Sequence, residues 1–353
     1  MKISIQKTDN PKKKPDENNL GFGNNFTDHM FIMDYKEGKG WYDPRIVPYG
    51  PLEVLPSMST FHYGQAVFEG MKAYKGPEGQ ILLFRPEENM KRLNNSNKRM
   101  CIPEIDMEFF LTAIKELVSL DSDWIPAASG TSLYIRPFII ATDPALKLKP
   151  STSYKFIIIL SPVGAYYPQG INPVDIYVET EYIRAAPGGT GFVKTSGNYA
   201  ASMIAQANAA EKGFVQVLWL DGYEKKYVQE VGSMNVFFKI DGEVITPELD
   251  GSILPGITRD SVIELIKSWN IPVHERKITI EEVYQAYDDS RLEEVFGTGT
   301  AAVISPVGGL YWKGKKIEIN QGKIGELSAQ IYENITGIQT GNKEDLFDWI
   351  IEI

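Results

Sequence analysis

Phe156 to Leu160 is an almost wholly apolar run, and Ser161-Pro162-Val163-Gly164-Ala165-Tyr166-Tyr167-Pro168-Gln169-Gly170-Ile171-Asn172-Pro173, directly after it, is rich in proline, glycine and tyrosine. A run without polar alternation suits a strand buried on both faces. Clustered proline and glycine break regular structure. The pair predicts a central strand that ends at a domain connector, and such connectors often border an active cleft. At 353 residues the chain exceeds the size at which one core keeps growing, so two domains are expected. The boundaries fall at a small N-terminal domain over 1–163, with 1–19 as a flexible arm, a connector over 164–173, and a larger domain over 174–353.

Before the connector, Thr27 to Tyr35 reads as a strand, Gly38-Lys39-Gly40 as a turn, and Gly64 to Tyr74 as a helical turn followed by an edge strand. Ile81 to Phe84 is a short buried strand, Arg85 stands at its end, and Pro86 opens a helix through Leu93. Asp106 starts a helix whose Met107, Phe110, Ile114, Leu117 and Val118 keep helical spacing. Ser132 to Ile140 is strand-like and puts Tyr134 and Arg136 on one face.

After the connector, strands at Val174 to Thr180, Val215 to Leu220, Tyr227 to Val231 and Asn235 to Ile240 are punctuated by Asp221-Gly222 and Asp241-Gly242. A hairpin-rich sheet or barrel follows, flanked by helices at Asn198 to Lys212, from Gly256 through Trp269, and at Ile280 to Tyr287, Ile324 to Ile335 and Lys343 to Ile350. The fold class is α+β, a smaller N-terminal α/β domain beside a larger C-terminal domain.

Composition removes several functions. With 43% hydrophobic and 23% charged residues and no apolar run long enough to span a bilayer, the chain reads as an ordinary soluble protein. A formal net charge of -10 opposes a phosphate backbone, so nucleic acid is not an expected partner. Lys12-Lys13-Lys14 lies in a polar arm and reads as solvated. The single Cys101 excludes an intrachain disulfide, and His29, His62 and His274 lack zinc spacing, so no metal is expected. Without an apolar leader or an arginine-rich transit segment, the expected location is the cytoplasm.

The chemistry centres on Lys194 in Gly188-Gly189-Thr190-Gly191-Phe192-Val193-Lys194-Thr195-Ser196-Gly197-Asn198-Tyr199. Flanking glycines allow close approach and positive φ, so this lysine sits in a cramped turn ahead of an alanine-rich helix. Imine formation with a cofactor aldehyde needs such a desolvated amine. A pyridoxal phosphate there would also need amides, hydroxyls and an arginine for its phosphate, and a carboxylate for its ring nitrogen. Gly256, Ile257 and Thr258 at a helix start, Thr300 in a Gly-Thr-Gly-Thr-Ala turn, Arg85, and Glu230 in an apolar strand each answer one need. Each also has a plainer reading as a helix cap, a surface ion pair or a buried salt bridge.

Phe68-Glu69-Gly70-Met71-Lys72-Ala73-Tyr74, Leu83-Phe84-Arg85-Pro86, Tyr134-Ile135-Arg136-Pro137, Lys194 with Gly197-Asn198-Tyr199, Glu230-Val231-Gly232-Ser233-Met234-Asn235 and Gly297-Thr298-Gly299-Thr300-Ala301 together resemble the branched-chain amino-acid aminotransferases, of fold-type IV among pyridoxal-phosphate enzymes. The match runs in order from about residue 20 to the C-terminus. The resemblance implies that Lys194 forms the internal imine and moves the proton, that Glu230 faces the pyridine nitrogen, and that Tyr199 faces the phenolic oxygen. It implies phosphate contacts from Arg85, Ile257, Thr258 and Thr300, with Arg184 lining the same pocket.

The resemblance further places the substrate carboxylate near Tyr134, Ser233 and Ala301 and the distal carboxylate of glutamate at Arg136. The apolar side chain would meet Phe22, Phe68 and Tyr166 of one subunit with Tyr63, Leu146 and Leu148 of its dimer mate. The implied reaction exchanges the amino group of leucine, isoleucine or valine with 2-oxoglutarate by a ping-pong route, in a homodimer serving branched-chain amino-acid biosynthesis. Ser233 replaces a threonine common in relatives, and Ala302 and Ser305 stand where some relatives carry a redox cysteine pair, so thiol regulation of that kind is not expected. The alternatives are a D-amino-acid aminotransferase or an aminodeoxychorismate lyase of the same fold, and a non-catalytic pyridoxal-phosphate-binding protein.

Overall fold

The computed structural model describes residues 1–164 and 171–353, and the chain divides into two compact units. The first comprises the described residues of 1–168 together with 193–196 and 337–353; the second comprises the described residues of 169–192 together with 197–336. The return of the C-terminal segment to the first unit was not legible, because it depends on a strand pairing far apart in the chain.

The first unit is built on β1 (Ser4–Ile5), β2 (His29–Lys36), β3 (Gly40–Pro48), β4 (Ala66–Phe68), β5 (Met71–Lys75), β6 (Ile81–Phe84), β7 (Ser132–Ala141), β8 (Ser153–Val163) and the chain's last strand, β18 (Ile350–Glu352). Their order is β1-β3-β2-β8-β7-β5-β6-β18, with β4 paired to β7. β8 is bonded on both sides, to β2 and β7, which is the place its apolar run requires. Helices α1 (Ser59–Tyr63), α2 (Pro86–Arg99) and α3 (Met107–Leu120) complete the unit.

The carboxylate of Asp106 accepts the Phe109 N–H at 2.8 Å and starts α3, whose apolar stripe is buried. Phe110 of that stripe meets Phe156 of β8 edge-on at 5.1 Å, within the core that also holds Phe31, Leu117 and Leu160. Four expectations change here. β5 lies inside the sheet between β6 and β7 rather than at an edge, and α2 continues to Arg99. The segment from Lys343 is not a helix: it turns, and Ile350 to Glu352 pairs with β6. The arm is also tied down, through β1 on β3, the Lys12 N–H on Asp28 at 2.8 Å and the Lys12 ammonium over the Tyr49 ring.

The second unit carries β9 (Val174–Val178), β10 (Gln216–Leu220), β11 (Val228–Val231), β12 (Met234–Ile240), β13 (Glu243–Thr246), β14 (Val273–Glu275), β15 (Leu292–Gly299), β16 (Val303–Trp312) and β17 (Lys315–Glu318). The order is β11-β10-β9-β16-β15-β12-β13-β14, and β11 also pairs with β12. That extra pairing closes β9, β10, β11, β12, β15 and β16 into a barrel, removing the open edges of those strands. Asp241 and Gly242, both at positive φ, make the two-residue turn that sets Ile240 opposite Glu243. Helices α4 (Ser196–Glu211), α5 (Ile257–Ser268), α6 (Ile280–Asp288) and α7 (Glu326–Gln339) accompany the barrel.

Candidate active site

Lys194 is stitched to β4 and α2. Its carbonyl accepts the Phe68 N–H at 3.0 Å and its own N–H donates to Ser96 Oγ at 3.0 Å, while Thr195 bridges to Val67 and donates its hydroxyl to the Ala66 carbonyl. The ammonium lies 4.8 Å from the centroid of the Phe68 ring. The backbone of the lysine is therefore fixed before any partner arrives.

Beside it stands a buried ion cluster that reading of the sequence missed. Glu69, 0% exposed, receives Arg92 Nε at 2.7 Å on one oxygen, and Arg92 Nη2 at 2.9 Å and Asn89 Nδ2 at 2.8 Å on the other. Burial alone would push this carboxyl up; the Arg92 guanidinium first, with the Lys194 charge and the Asn89 amide, holds it below the usual carboxylate range. Asn89, Arg92 and Ser96 recur at helical spacing on a buried face of α2. Polar residues in that pattern on an otherwise core-facing side were the available signal.

Tyr134 and Arg136 share a face of β7, as alternation requires. Arg136 Nη2 donates to the Tyr134 hydroxyl at 3.1 Å, and the guanidinium lies 4.9 Å from the Phe68 ring centroid and 5.2 Å from that of Tyr134. Phe22 meets Tyr134 edge-on at 5.1 Å. A Cβ on Gly70 would sit 1.9 Å from the Tyr134 hydroxyl, so only glycine leaves that hydroxyl its place. The Arg136 Nε is buried and donates to no acceptor among the described residues. Tyr63, Leu146 and Leu148 are exposed, with the Tyr63 hydroxyl on the Leu146 carbonyl. Tyr166 lies outside the described residues.

In the second unit Glu230 is 3% exposed on β11, opposite Asn235 of β12. One of its oxygens accepts the Leu254 N–H at 2.8 Å, and the other lies 3.0 Å from Arg184 Nε without an aligned hydrogen bond. Arg184 is anchored in turn by the Gly191 carbonyl at 3.0 Å and the Ser252 carbonyl at 2.5 Å. The salt bridge that the strand carboxylate called for is thus present, with Arg184 as the cation. Asn235 Nδ2 donates to the Leu254 carbonyl at 2.9 Å, which orders the loop running into α5.

Gly256 caps α5 with no side-chain bond to the helix amides, so the first amides, at Ile257 and Thr258, are not claimed by a cap. A Cβ on Gly256 would come within 2.0 Å of Asn235 Oδ1. Thr300 and Ala301 follow β15 and are half-buried, Ser233 is exposed between β11 and β12, and Tyr199 is half-buried in the first turns of α4. Arg85 stands elsewhere in the first unit, as the left-handed N-cap of α2 with its guanidinium over the Trp349 ring at 5.4 Å. The residues around Lys194 and Arg136 are thus gathered within the first unit, and those around Glu230 and the start of α5 within the second.

The family model described as amino-transferase class IV matches residues 66–310, a span holding Phe68, Arg136, Lys194, Glu230 and Thr300. The chain belongs to the class IV aminotransferases. Within that family it is 61% identical over 351 residues to the branched-chain-amino-acid aminotransferase 2 of Bacillus subtilis (strain 168), covering 99% of this chain and 97% of that protein. Its fold resembles the branched-chain amino acid aminotransferase of Escherichia coli, with a TM-score of 0.77 and 29% identity over 92% of this chain and 98% of that one. It also resembles the T.th. branched-chain amino acid aminotransferase solved with pyridoxamine 5′-phosphate, with a TM-score of 0.75 and 28% identity over 90% and 97%. As a class IV aminotransferase, the chain is a transaminase whose α+β, two-domain architecture is that of fold-type IV.

Proposed function

We propose that this class IV aminotransferase exchanges the amino group of L-leucine, L-isoleucine or L-valine with 2-oxoglutarate, using pyridoxal 5′-phosphate held on Lys194, as a cytoplasmic homodimer. The observation that carries the substrate reading is Arg136, a guanidinium set against Phe68 and Tyr134 whose buried Nε has no acceptor among the described residues. Aromatic walls take a branched apolar side chain, and a cation embedded in them takes a distal carboxylate. One pocket can then serve both half-reactions. The named relatives favour this over a D-amino-acid aminotransferase or an aminodeoxychorismate lyase.

The chain's donors fit the cofactor: unclaimed amides at Ile257 and Thr258, the hydroxyl of Thr300, and a deeply buried carboxylate at Glu230 beside the cradle at Gly256. When bound, pyridoxal phosphate supplies an aldehyde to hold the substrate amine and a ring that withdraws electrons from the substrate Cα. With the cofactor bound, Lys194 Nζ would be the base that takes up the substrate Cα proton and the acid that gives it back to the cofactor's former aldehyde carbon. Glu230, which Arg184 secures, would offer its carboxylate to a protonated ring nitrogen, and Tyr199 would offer a hydroxyl to the phenolic oxygen. Ile257, Thr258 and Thr300 would hold the phosphate. Arg92, buried in the Lys194 cluster, is better supported as its arginine than Arg85, which caps α2 under Trp349.

Tyr134, Ser233 and Ala301 receive the substrate carboxylate, and Phe22, Phe68 and Tyr166 its side chain. Tyr63, Leu146 and Leu148, exposed on a single chain, complete the pocket of a second copy. Lys194→Ala should abolish transamination in a steady-state assay, and substantial residual turnover would refute the role. Arg136→Ala should lower kcat/KM for glutamate at least about tenfold more than for leucine, the scale of one charge-assisted contact. An equal loss on both substrates would contradict the shared pocket.

A further inference from the structure

Lys194 and Glu69 are held by the same two elements. Ser96 of α2 takes the Lys194 N–H and the strand residue Phe68 donates to the Lys194 carbonyl; Asn89 and Arg92 of α2 grip the carboxylate of Glu69, the residue next to Phe68. The Gly70 N–H adds a bond to Glu69 at 3.1 Å. The buried Arg92 and the half-buried Lys194 both act on the Glu69 carboxylate, and like charges repel more strongly where water is displaced. A buried ion pair is rarely the most stable filling for such a space, so its presence asks for another reason.

We propose that Glu69 is a positioning residue for Lys194, its carboxylate locking Arg92 in place and balancing the positive charge beside the lysine amine. The charged groups about Lys194 are Glu69 after β4, Arg92 on α2 and Arg136 of β7, whose guanidinium lies 4.9 Å from the centroid of the same Phe68 ring; Ser96 and that ring are neutral. The Lys194 charge in turn contributes to keeping the Glu69 carboxyl ionised, after the larger contribution of Arg92 to offsetting burial. The inference gains its importance from Lys194 as the catalytic lysine, but its test reads the amine itself.

In the apoprotein, reductive methylation of Lys194 followed by mass spectrometry of its peptide across pH gives the ionisation midpoint of the amine. Glu69→Gln leaves the Arg92 charge facing that amine, so the midpoint should fall by about one pH unit. Glu69→Gln with Arg92→Met removes both charges and should return it to within about 0.3 unit of the wild type, a recovery that a packing role would not produce. Where Glu69→Gln alone does not fold, Arg92→Met removes the cation facing the amine and should raise the midpoint. A midpoint unmoved in either single variant, or a double variant that stays displaced, overturns the proposal. Failure of the catalytic reading would appear separately, as turnover that survives Lys194→Ala.

Discussion

Burial pushes the Lys72 ammonium of β5 down to about 8 from its usual 10.5. The sign follows from that depression. Below about pH 8 the folded chain carries a charged, desolvated lysine that the unfolded chain holds in water, so Lys72 costs stability there. Above it the folded lysine gives up its proton first, and the cost fades towards 10.5. In denaturant titrations the difference between Lys72→Met and wild type should therefore change with pH, its charge-dependent part falling from about 3 kcal/mol at pH 7 to roughly half of that by pH 9.5. A gain that did not change with pH would show that packing, not charge, sets the difference. Lys72 lies across from Tyr134 in the β5 and β7 register, so the cost is borne beside the proposed carboxylate site.

Single side chains differed in how far they could be read. Tyr134 and Arg136 follow from strand alternation, and Glu230 from the rarity of a carboxylate in an apolar strand. The Arg92–Glu69 pair did not: the spacing of Asn89, Arg92 and Ser96 marks a polar face on α2, but the carboxylate that meets it lies on a different element.

The strongest elements were those with both a cap and a period. α3 begins where Asp106 indicated and α6 where Thr279 caps Glu282, because a capping bond and an apolar stripe are local facts. The segment from Lys343 failed for the opposite reason: its structure is decided by β6, whose Leu82 to Phe84 supplies the partner for Glu352 to Ile350. Pairing across the chain overrides local preference.

The loop carrying Leu146 and Leu148 offers a sharper test. Asp143 at its base is 7% exposed and accepts the Thr152 N–H at 2.9 Å and the Ser153 hydroxyl at 2.7 Å. Burial would push its carboxyl up, but these bonds hold it at about 2. The resulting stabilisation is present above the ordinary value of 3.8 and is lost as pH falls through about 2. Asp143→Asn should cost about 1–2 kcal/mol at pH 7, discounted for the solvent near the loop, and the gap to wild type should close towards pH 2. A gap independent of pH would mean that the loop is held by something other than this charge.

The whole chain reads as two units because one unit closes a barrel through β11 while the other recovers the C-terminal strand. The first of these was within reach of sequence, since the Asp-Gly turns and short strands announce hairpins; the second was not. Tyr63, Leu146 and Leu148 are exposed, as the proposed homodimer requires of residues that would enter a second copy's pocket, and the proposal predicts a dimer in sedimentation. The reaction itself is tested most directly by the absorbance spectrum of purified protein supplied with pyridoxal phosphate, recorded before and after L-leucine and then 2-oxoglutarate. Leucine should convert the lysine-bound cofactor band to that of the pyridoxamine form, and 2-oxoglutarate should restore it. A band that leucine leaves unchanged would contradict the branched-chain assignment.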